Sequence, residues 1–376
     1  MLSQDIFSHI YKLHLIKYIF LFLLSFSICL LIIFISKKYP KLLDKNFKDC
    51  QKYHICPTPR LGGMGIYISS LLGLINSSIF FKLILSSFPA FISGIFSDIN
   101  RELSPKIRIL FISLSAFLGI VVTNLYISDL DFITLNKFLC IFITFVGVLG
   151  FTNAINIIDG FNGLASGFSL IALFNFLLVA YFYKNIFLMD IINVFIFSIL
   201  GFFVLNFPFG LIFLGDGGAY FLGYIFSFLC IFIKILLPQV SCFYPFLVLI
   251  YPIYEVMFSI YRKIKRKTSP FQPDTYHLHM LVYKAIKKFL RRKYMKSFNR
   301  GNIICFLKQY KYINEKINFL ANPLTSVFIF LWILPFQILA FLFQTQPLAL
   351  LICSLTFIFY YNLTYKLLVM YLKNKI

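Results

Sequence analysis

The sequence predicts an all-α fold, a polytopic integral membrane protein with about 10–11 transmembrane helices. Three observations carry that expectation. Sixty per cent of the 376 residues are hydrophobic and only 13% are charged, against roughly 45–50% and 25% in soluble domains. Apolar runs of membrane-spanning length recur along the whole chain. The positive charge, 35 Lys and Arg against 13 Asp and Glu, gathers in alternate connections. This composition excludes an ordinary cytosolic domain, a disordered chain and a secreted disulfide scaffold. The eight cysteines show no C-x-x-C spacing and mostly lie inside apolar runs, where they read as small core residues.

The runs fall at 17–36, 64–76, 79–96, 107–128, 136–152, 163–183, 187–206, 217–237, 243–260, 324–344 and 348–372. The first lacks a small-residue cleavage site and reads as a membrane helix, not a signal peptide. The second and fifth are short enough to be tilted or partly re-entrant. No internal repeat and no separate soluble domain is apparent, so residues 1–376 read as one membrane-embedded domain. Its longest polar connection is a basic loop, 261–323.

The connection after the first run holds Lys37, Lys38, Lys41, Lys45, Lys48, Lys52 and Arg60. Arg101, Lys106 and Arg108 follow the third run, and sixteen more cations lie in 261–323. The opposite connections hold almost none, so the positive-inside rule assigns the rich side to the cytoplasm. Lys12 and Lys17, before the first run, argue mildly the other way. The net charge of +22 is then a topology signal and a headgroup attractant, and no nucleic-acid partner is expected. Within 281–290, Leu281, Ala285 and Phe289, then Val282, Ile286 and Leu290, form two apolar stripes opposite Lys284, Lys287, Lys288 and Arg291. That pattern suits an interfacial helix or one packed on other loops.

Acids are scarce, which makes each informative. Asp98, Asp159, Asp216 and Asp274 all sit at cytoplasmic ends of the expected bundle. Around them lie the segments with chemical character. His54-Ile55-Cys56-Pro57-Thr58-Pro59-Arg60-Leu61-Gly62-Gly63 offers a planar guanidinium fork for phosphate beside a glycine pair that permits close approach. Ser97-Asp98, with Asn100 and Arg101, closes the third run. In 153–165, Asn153, Asn156, Asp159 and Asn162 recur every three residues, which in a helix puts them near one face. Gly215-Asp216-Gly217-Gly218 wraps a carboxylate in glycine at a helix entry, a setting for a hard cation with phosphate. Pro273-Asp274-Thr275-Tyr276-His277-Leu278-His279 holds two of the five histidines. Zinc there would need further ligands that the neighbouring sequence lacks, and phosphate contact is the better fit. A transporter would carry its polar groups near the bilayer midplane; these gather on one face, as catalytic cytoplasmic loops would.

In order, the strings NAINIIDGFNGLASG, FLGDGGAYFLG and PDTYHLH, with PTPRLGG before them, resemble the polyprenyl-phosphate N-acetylhexosamine-1-phosphate transferase family. The match covers roughly 54–280. PTPRLGG is similar to the undecaprenyl-phosphate N-acetylglucosaminyl 1-phosphate transferase side of that family, and less so to the phospho-N-acetylmuramoyl-pentapeptide transferases. There are departures: Ser97 where a second aspartate is usual, Asn162 for an aspartate, and Met280 for a third histidine. The resemblance implies a UDP-sugar donor, undecaprenyl phosphate as acceptor and a membrane-lipid setting. It also implies Mg²⁺, with Mn²⁺ as the alternative, and is compatible with a homodimer. It places a multi-pass enzyme in a bacterial inner membrane with the site facing the cytoplasm. Carried onto this chain, Asp98, Asp159, Asp216, His277 and His279 would be catalytic. Arg60, Asn153, Asn156, Asn162 and Gly217 would bind substrate, and Asp216 with Asp98 would hold the metal. The expected product is a lipid-linked sugar that begins an envelope glycan such as O-antigen.

Overall fold

The computed structural model describes residues 2–44, 57–100, 103–268, 274–295 and 303–373, with side chains described over 13–44, 57–99, 103–268, 274–294 and 312–373. His54, Ile55, Cys56, Arg101 and Pro273, and the side chain of Asn100, therefore lie outside the described residues.

The chain is built from helices. α1 (Leu2–Lys38) ends on Lys37 and Lys38, whose charge complements the carbonyl end of the helix. Two-residue strands β1 (Leu43–Asp44) and β2 (Thr58–Pro59) then pair antiparallel, Asp44 opposite Thr58. α2 (Gly63–Gly73), α3 (Ser78–Ser86) and α4 (Phe88–Asn100) follow. α5 (Pro105–Thr123) starts on Ser104, whose Oγ accepts from Ile107 N–H, with Pro105 at its first position. Asn136 and Asn185 cap α6 (Lys137–Ile158) and α8 (Ile186–Asn206) in the same way, on either side of α7 (Leu164–Phe182). The chain continues through α9 (Gly215–Leu236), α10 (Phe243–Val248), α11 (Ile250–Lys265), α12 (Leu278–Met295), α13 (Ile303–Leu342) and α14 (Pro347–Lys373).

Among the described residues, nine helical stretches are long and apolar enough to cross a membrane. The fold is the expected all-α multi-pass membrane protein. Three of the eleven apolar runs differ. Run 79–96 is interrupted at Ser87, between α3 and α4. Run 64–76 becomes the 11-residue α2, too short to span alone. Run 243–260 breaks at Leu249 into α10 and α11. Pro252 has no N–H to give the Val248 carbonyl, and Gln337 Nε2 of α13 donates to that carbonyl instead, at 2.8 Å.

α9 is the central helix, packed on α2, α4 and α6, and its apolar window is 72% buried. α1 lies against α2 and α8, α6 against α11, and α13 against α7 and α12. A polar seam crosses the apolar interior: Tyr244 Oη donates to Asn175 Oδ1 at 2.7 Å, and Asn175 Nδ2 to the Gln337 carbonyl at 2.7 Å. In hydrocarbon such groups must pair with one another.

The helix ends separate by chemistry. At one end, Lys17 Nζ pairs with Asp190 at 2.8 Å and Lys234 Nζ with Asp131 at 2.8 Å. Lys17 is thus neutralised by a carboxylate of α8. The other end carries the C-termini of α4, α6, α8 and α11 and the N-termini of α2, α5, α7 and α9, and here Arg60, Asp98, Asp159 and Asp216 lie. α12 covers part of that end, packed on α13 and α14. Leu281 and Val282 are buried there, and Phe289 stays exposed. Of the two alternatives for 281–290, the apolar stripes serve mainly to dock the helix on the bundle.

Candidate active site

The site grows from three close backbone approaches. Gly63 at the start of α2 meets Gly218 of α9, and Gly94 of α4 meets the backbone of Gly217; a Cβ at any of these would strike main chain. Gly215, with φ +79°, turns the chain into α9 where a side chain would collide with the Arg60 carbonyl and Asp98. α2, α4 and α9 therefore converge at one point, and their polar end residues meet.

Asp216, in the first turn of α9, sits at the centre. Arg108 Nη1 and Ser97 Oγ donate to its Oδ2 at 2.9 and 3.0 Å. Asn156 Nδ2 and Arg60 Nη2 donate to its Oδ1 at 3.0 and 3.4 Å. Asp98 lies alongside, its Oδ2 accepting from Gly217 N–H at 3.3 Å, with Arg60 Nε 3.4 Å from its Oδ1. Asp98 Oδ1 is buried without a hydrogen-bond partner. Arg60 also faces the buried Asp44, 3.7 Å away. Burial works against the Arg60 charge, but Asp98, Asp216, Asp159 and Asp44 together raise its pKa above the ordinary arginine value.

Asp159 follows the last residue of α6. Burial is the main cause that lifts its carboxyl to about 7; Arg60 opposes the rise and Asp216 adds to it. The three-residue polar stripe breaks at this point, because α6 ends at Ile158 and Gly163 turns left-handed at φ +73°. Asn162 is thereby carried off the helical face. Its N–H donates to Asn322 Oδ1 and its Nδ2 to the Pro208 carbonyl, tying the turn to α13. Asn153 Nδ2 folds back on the Leu149 carbonyl at 2.8 Å. Of the four spaced polar residues, the structure thus brings Asn156 and Asp159 into the charged cluster.

His277 and His279 form a second cluster around Glu255 of α11, which is fully buried. His277 Nδ1 is 2.9 Å from Glu255 Oε2, and His279 Nδ1 is 3.0 Å from Tyr251 Oη. The two rings stack at 5.4 Å. Burial pulls His279 down to about 3, against the pull of Glu255, so its ring is uncharged at neutral pH. Its Nε2 has no hydrogen-bond partner and lies beneath Gly160. The Asp159–Gly160 turn thus joins the histidine cluster to the carboxylate cluster. Asp274 is held by Arg262 and Ser259 of α11 and anchors the loop that leads to His277. Arg262 and Ser259 hold it well down, to about 2, against the upward push of burial.

Four participants were not assigned from sequence. Arg108 counted only as a loop cation, Ser97 as a departure from a motif, and Asp44 and Glu255 as two of the thirteen acids. The scarcity of acids was the signal that could have singled out Glu255, a carboxylate inside an apolar run.

A metal fits this donor set on chemical grounds. Among the described residues no three His, Cys, Asp or Glu side chains already converge as a metal cage. Mg²⁺ is ordinarily held by one or two carboxylates together with substrate phosphates. Asp216 and the unpartnered Asp98 Oδ1 are hard oxygen donors of that kind.

A family model described as glycosyl transferase family 4 matches residues 80–234. A Bacillus subtilis (strain 168) protein named "Probable undecaprenyl-phosphate N-acetylglucosaminyl 1-phosphate transferase" is 32% identical over 243 residues, covering 61% of this chain and 66% of that protein. The chain therefore spans just under two thirds of that relative's length. A Thermotoga maritima protein named undecaprenyl-phosphate alpha-N-acetylglucosaminyl 1-phosphate transferase is 28% identical over 278 residues, 74% of this chain and 84% of its own. A Streptococcus pneumoniae phospho-N-acetylmuramoyl-pentapeptide-transferase is 30% identical over 187 residues, 44% of this chain and 56% of its own. The matched span runs from α3 to α9 and contains Asp98, Arg108, Asn156, Asp159 and Asp216, so the similarity to glycosyl transferase family 4 falls on helices that build the charged cluster.

Proposed function

We propose that the chain transfers a sugar-1-phosphate from a UDP-sugar to undecaprenyl phosphate and releases UMP. N-acetylglucosamine-1-phosphate is the default group, and the product begins a lipid-linked envelope glycan such as O-antigen. The reaction takes place at the cytoplasmic face of a bacterial inner membrane. The observation that carries this reading is the convergence of two arginines, Arg60 and Arg108, on Asp216 beside Asp98 and Asp159. Half-buried cations held ready by acids at one membrane face suit two anionic substrates that must meet there.

An oxygen of the lipid phosphate forms a bond to the β-phosphorus while the anhydride bond to the α-phosphate breaks. The electron pair leaves with UMP. A phosphate monoester has a second pKa near ~6, so the attacking group is largely dianionic at neutral pH and no strong base is needed. Arg60 and Arg108, now shared with Asp216, turn part of their hydrogen bonding to the diphosphate and offset the charge building on the leaving group. Asn156 keeps Asp216 oriented through that exchange. His277 meets the same anion from the histidine cluster, which adjoins Gly160 through His279. Mg²⁺, or Mn²⁺, would be held by Asp216 and Asp98 and would screen the repulsion between the two phosphates.

The test is a panel of radiolabelled UDP-sugars given to the detergent-solubilised chain with undecaprenyl phosphate and Mg²⁺. Label is expected in the lipid extract, and added unlabelled UMP should drive it back into UDP-sugar. Asp216→Asn should lower the rate by at least ~10²-fold. No lipid-extractable label from any UDP-sugar, or a near wild-type rate in Asp216→Asn, overturns the reading.

A further inference from the structure

Glu255 is a fully buried carboxylate whose two closest hydrogen bonds both lead to the histidine motif. Its Oε2 faces His277 Nδ1 at 2.9 Å, and its Oε1 accepts from Leu278 N–H at 3.0 Å. Leu278 is the first residue of α12. Its N–H is one of those a helix leaves unpaired at its start, and the helix dipole there favours a negative charge. One carboxylate from α11 thus caps α12 and grips the ring of the residue just before it. Side-chain accessibility of Glu255 is zero and of His277 6%, so water does not compete for either contact.

The ring nitrogens can be told apart on this geometry. A carboxylate accepts and never donates, so the His277 nitrogen facing it carries the proton. Nε2, on the opposite edge, makes no hydrogen bond among the described residues. His279 does not compete for the charge, because burial keeps it neutral. The other charged groups near the pair are Arg262 and Asp274, already bound to each other; Tyr251 and Tyr361 pack beside Glu255.

We propose that Glu255 is the positioning residue for His277: it fixes the Nδ1–H form and turns Nε2 to the substrate anion. The second half rests on the transferase reading above; the first half does not. Glu255→Gln separates the two. Glutamine has a single acceptor oxygen, so it can satisfy Leu278 N–H only by presenting its NH₂ to His277. That forces the ring into the opposite tautomer while leaving the cap in place.

The experiment uses the full chain in detergent, ¹⁵N-labelled at its five histidines, with His277→Gln to assign the signal. Wild type should show His277 with Nδ1 protonated, and Glu255→Gln should move the proton to Nε2. Glu255→Gln should also lower kcat/KM for the UDP-sugar by about ten- to a hundredfold, as loss of a carboxylate behind a working histidine does elsewhere. Adding His277→Gln to Glu255→Gln should then cost little more, since both changes remove one function. Should Glu255→Gln fail to give folded protein, Glu255→Asp keeps both acceptors and must keep Nδ1 protonated. An unchanged tautomer in Glu255→Gln, Nε2 protonation in Glu255→Asp, or fully additive costs in the double variant overturns the proposal. A tautomer switch in Glu255→Gln, together with a wild type that transfers no sugar-phosphate, would instead sink the transferase reading and leave the Glu255–His277 link standing.

Discussion

Gly94→Ala is a one-carbon change well inside α4, yet it should disable the site four residues away. A Cβ at Gly94 would lie 2.6 Å from the Asp216 carbonyl carbon and nearer still to Gly217 N and Cα. Ordinary contact begins at 3.4 Å, so α4 and α9 must part by about 0.8 Å or more, since main chain cannot rotate away as a side chain can. Overpacking of this kind costs about 1–3 kcal/mol. The functional effect is larger. Ser97 and Asp98 ride on α4, and their contacts to Asp216 Oδ2 and Gly217 N–H, 3.0 and 3.3 Å, open with the helices. A displacement near 1 Å at a reacting centre costs about 10²-fold in rate. The assay is transfer of label from UDP-N-acetylglucosamine to undecaprenyl phosphate, alongside thermal unfolding in detergent. Gly150→Ala is the control, because a Cβ there meets nothing within 4 Å, and it should be neutral or slightly stabilising. Full activity and an unchanged unfolding temperature in Gly94→Ala would refute the argument that this backbone contact sets the site.

Two further outcomes follow from the same geometry. Because Asp159 is lifted from 3.8 to about 7, the folded chain holds a proton that the unfolded chain has lost between those values. Its contribution to stability is full below about pH 4, falls as pH rises through 7, and is flat beyond. Asp159→Asn should flatten that slope in unfolding temperatures measured from pH 5 to 8, and equal slopes would contradict the assignment. Gln337→Leu removes the donor to the Val248 carbonyl at the α10–α11 break and should destabilise the bundle by about 1–2 kcal/mol; a variant as stable as wild type would mean that the carbonyl finds another partner.

The eleven apolar runs were legible because hydrocarbon demands long apolar helices, and each run has a helical counterpart. The break at Leu249 was not, although Pro252 is visible in the sequence. Whether a proline kinks, ends or merely bends a helix depends on who takes the freed carbonyl, and Gln337 lies 89 residues away. In the site, Arg60, Asp98, Asp159 and Asp216 stood out because charge near a membrane is costly and these acids are few. Asn153 and Asn162 fitted the three-residue spacing, but spacing carries a face only while the helix lasts. α6 stops at Ile158, which sends Asn162 into a structural turn. Arg108 could not be read at all: nothing local distinguishes it from Lys106 until α5 is set beside α9.

The pairings around Asp216 also fix an order of assembly. Arg60 can pair with Asp44 and Asp98 once α4 is made, but Arg108 precedes Asp216 by 108 residues, so that cation is synthesised and delivered to the membrane well before its counter-charge exists. Until α9 arrives, Arg108 must rest in the headgroup layer, where lipid phosphates can hold it. The first half of the chain can thread the bilayer on its own apolar content, but it cannot neutralise Arg108. A chain stopped short of Gly215 would carry Arg108 without the carboxylate that holds it in the finished site.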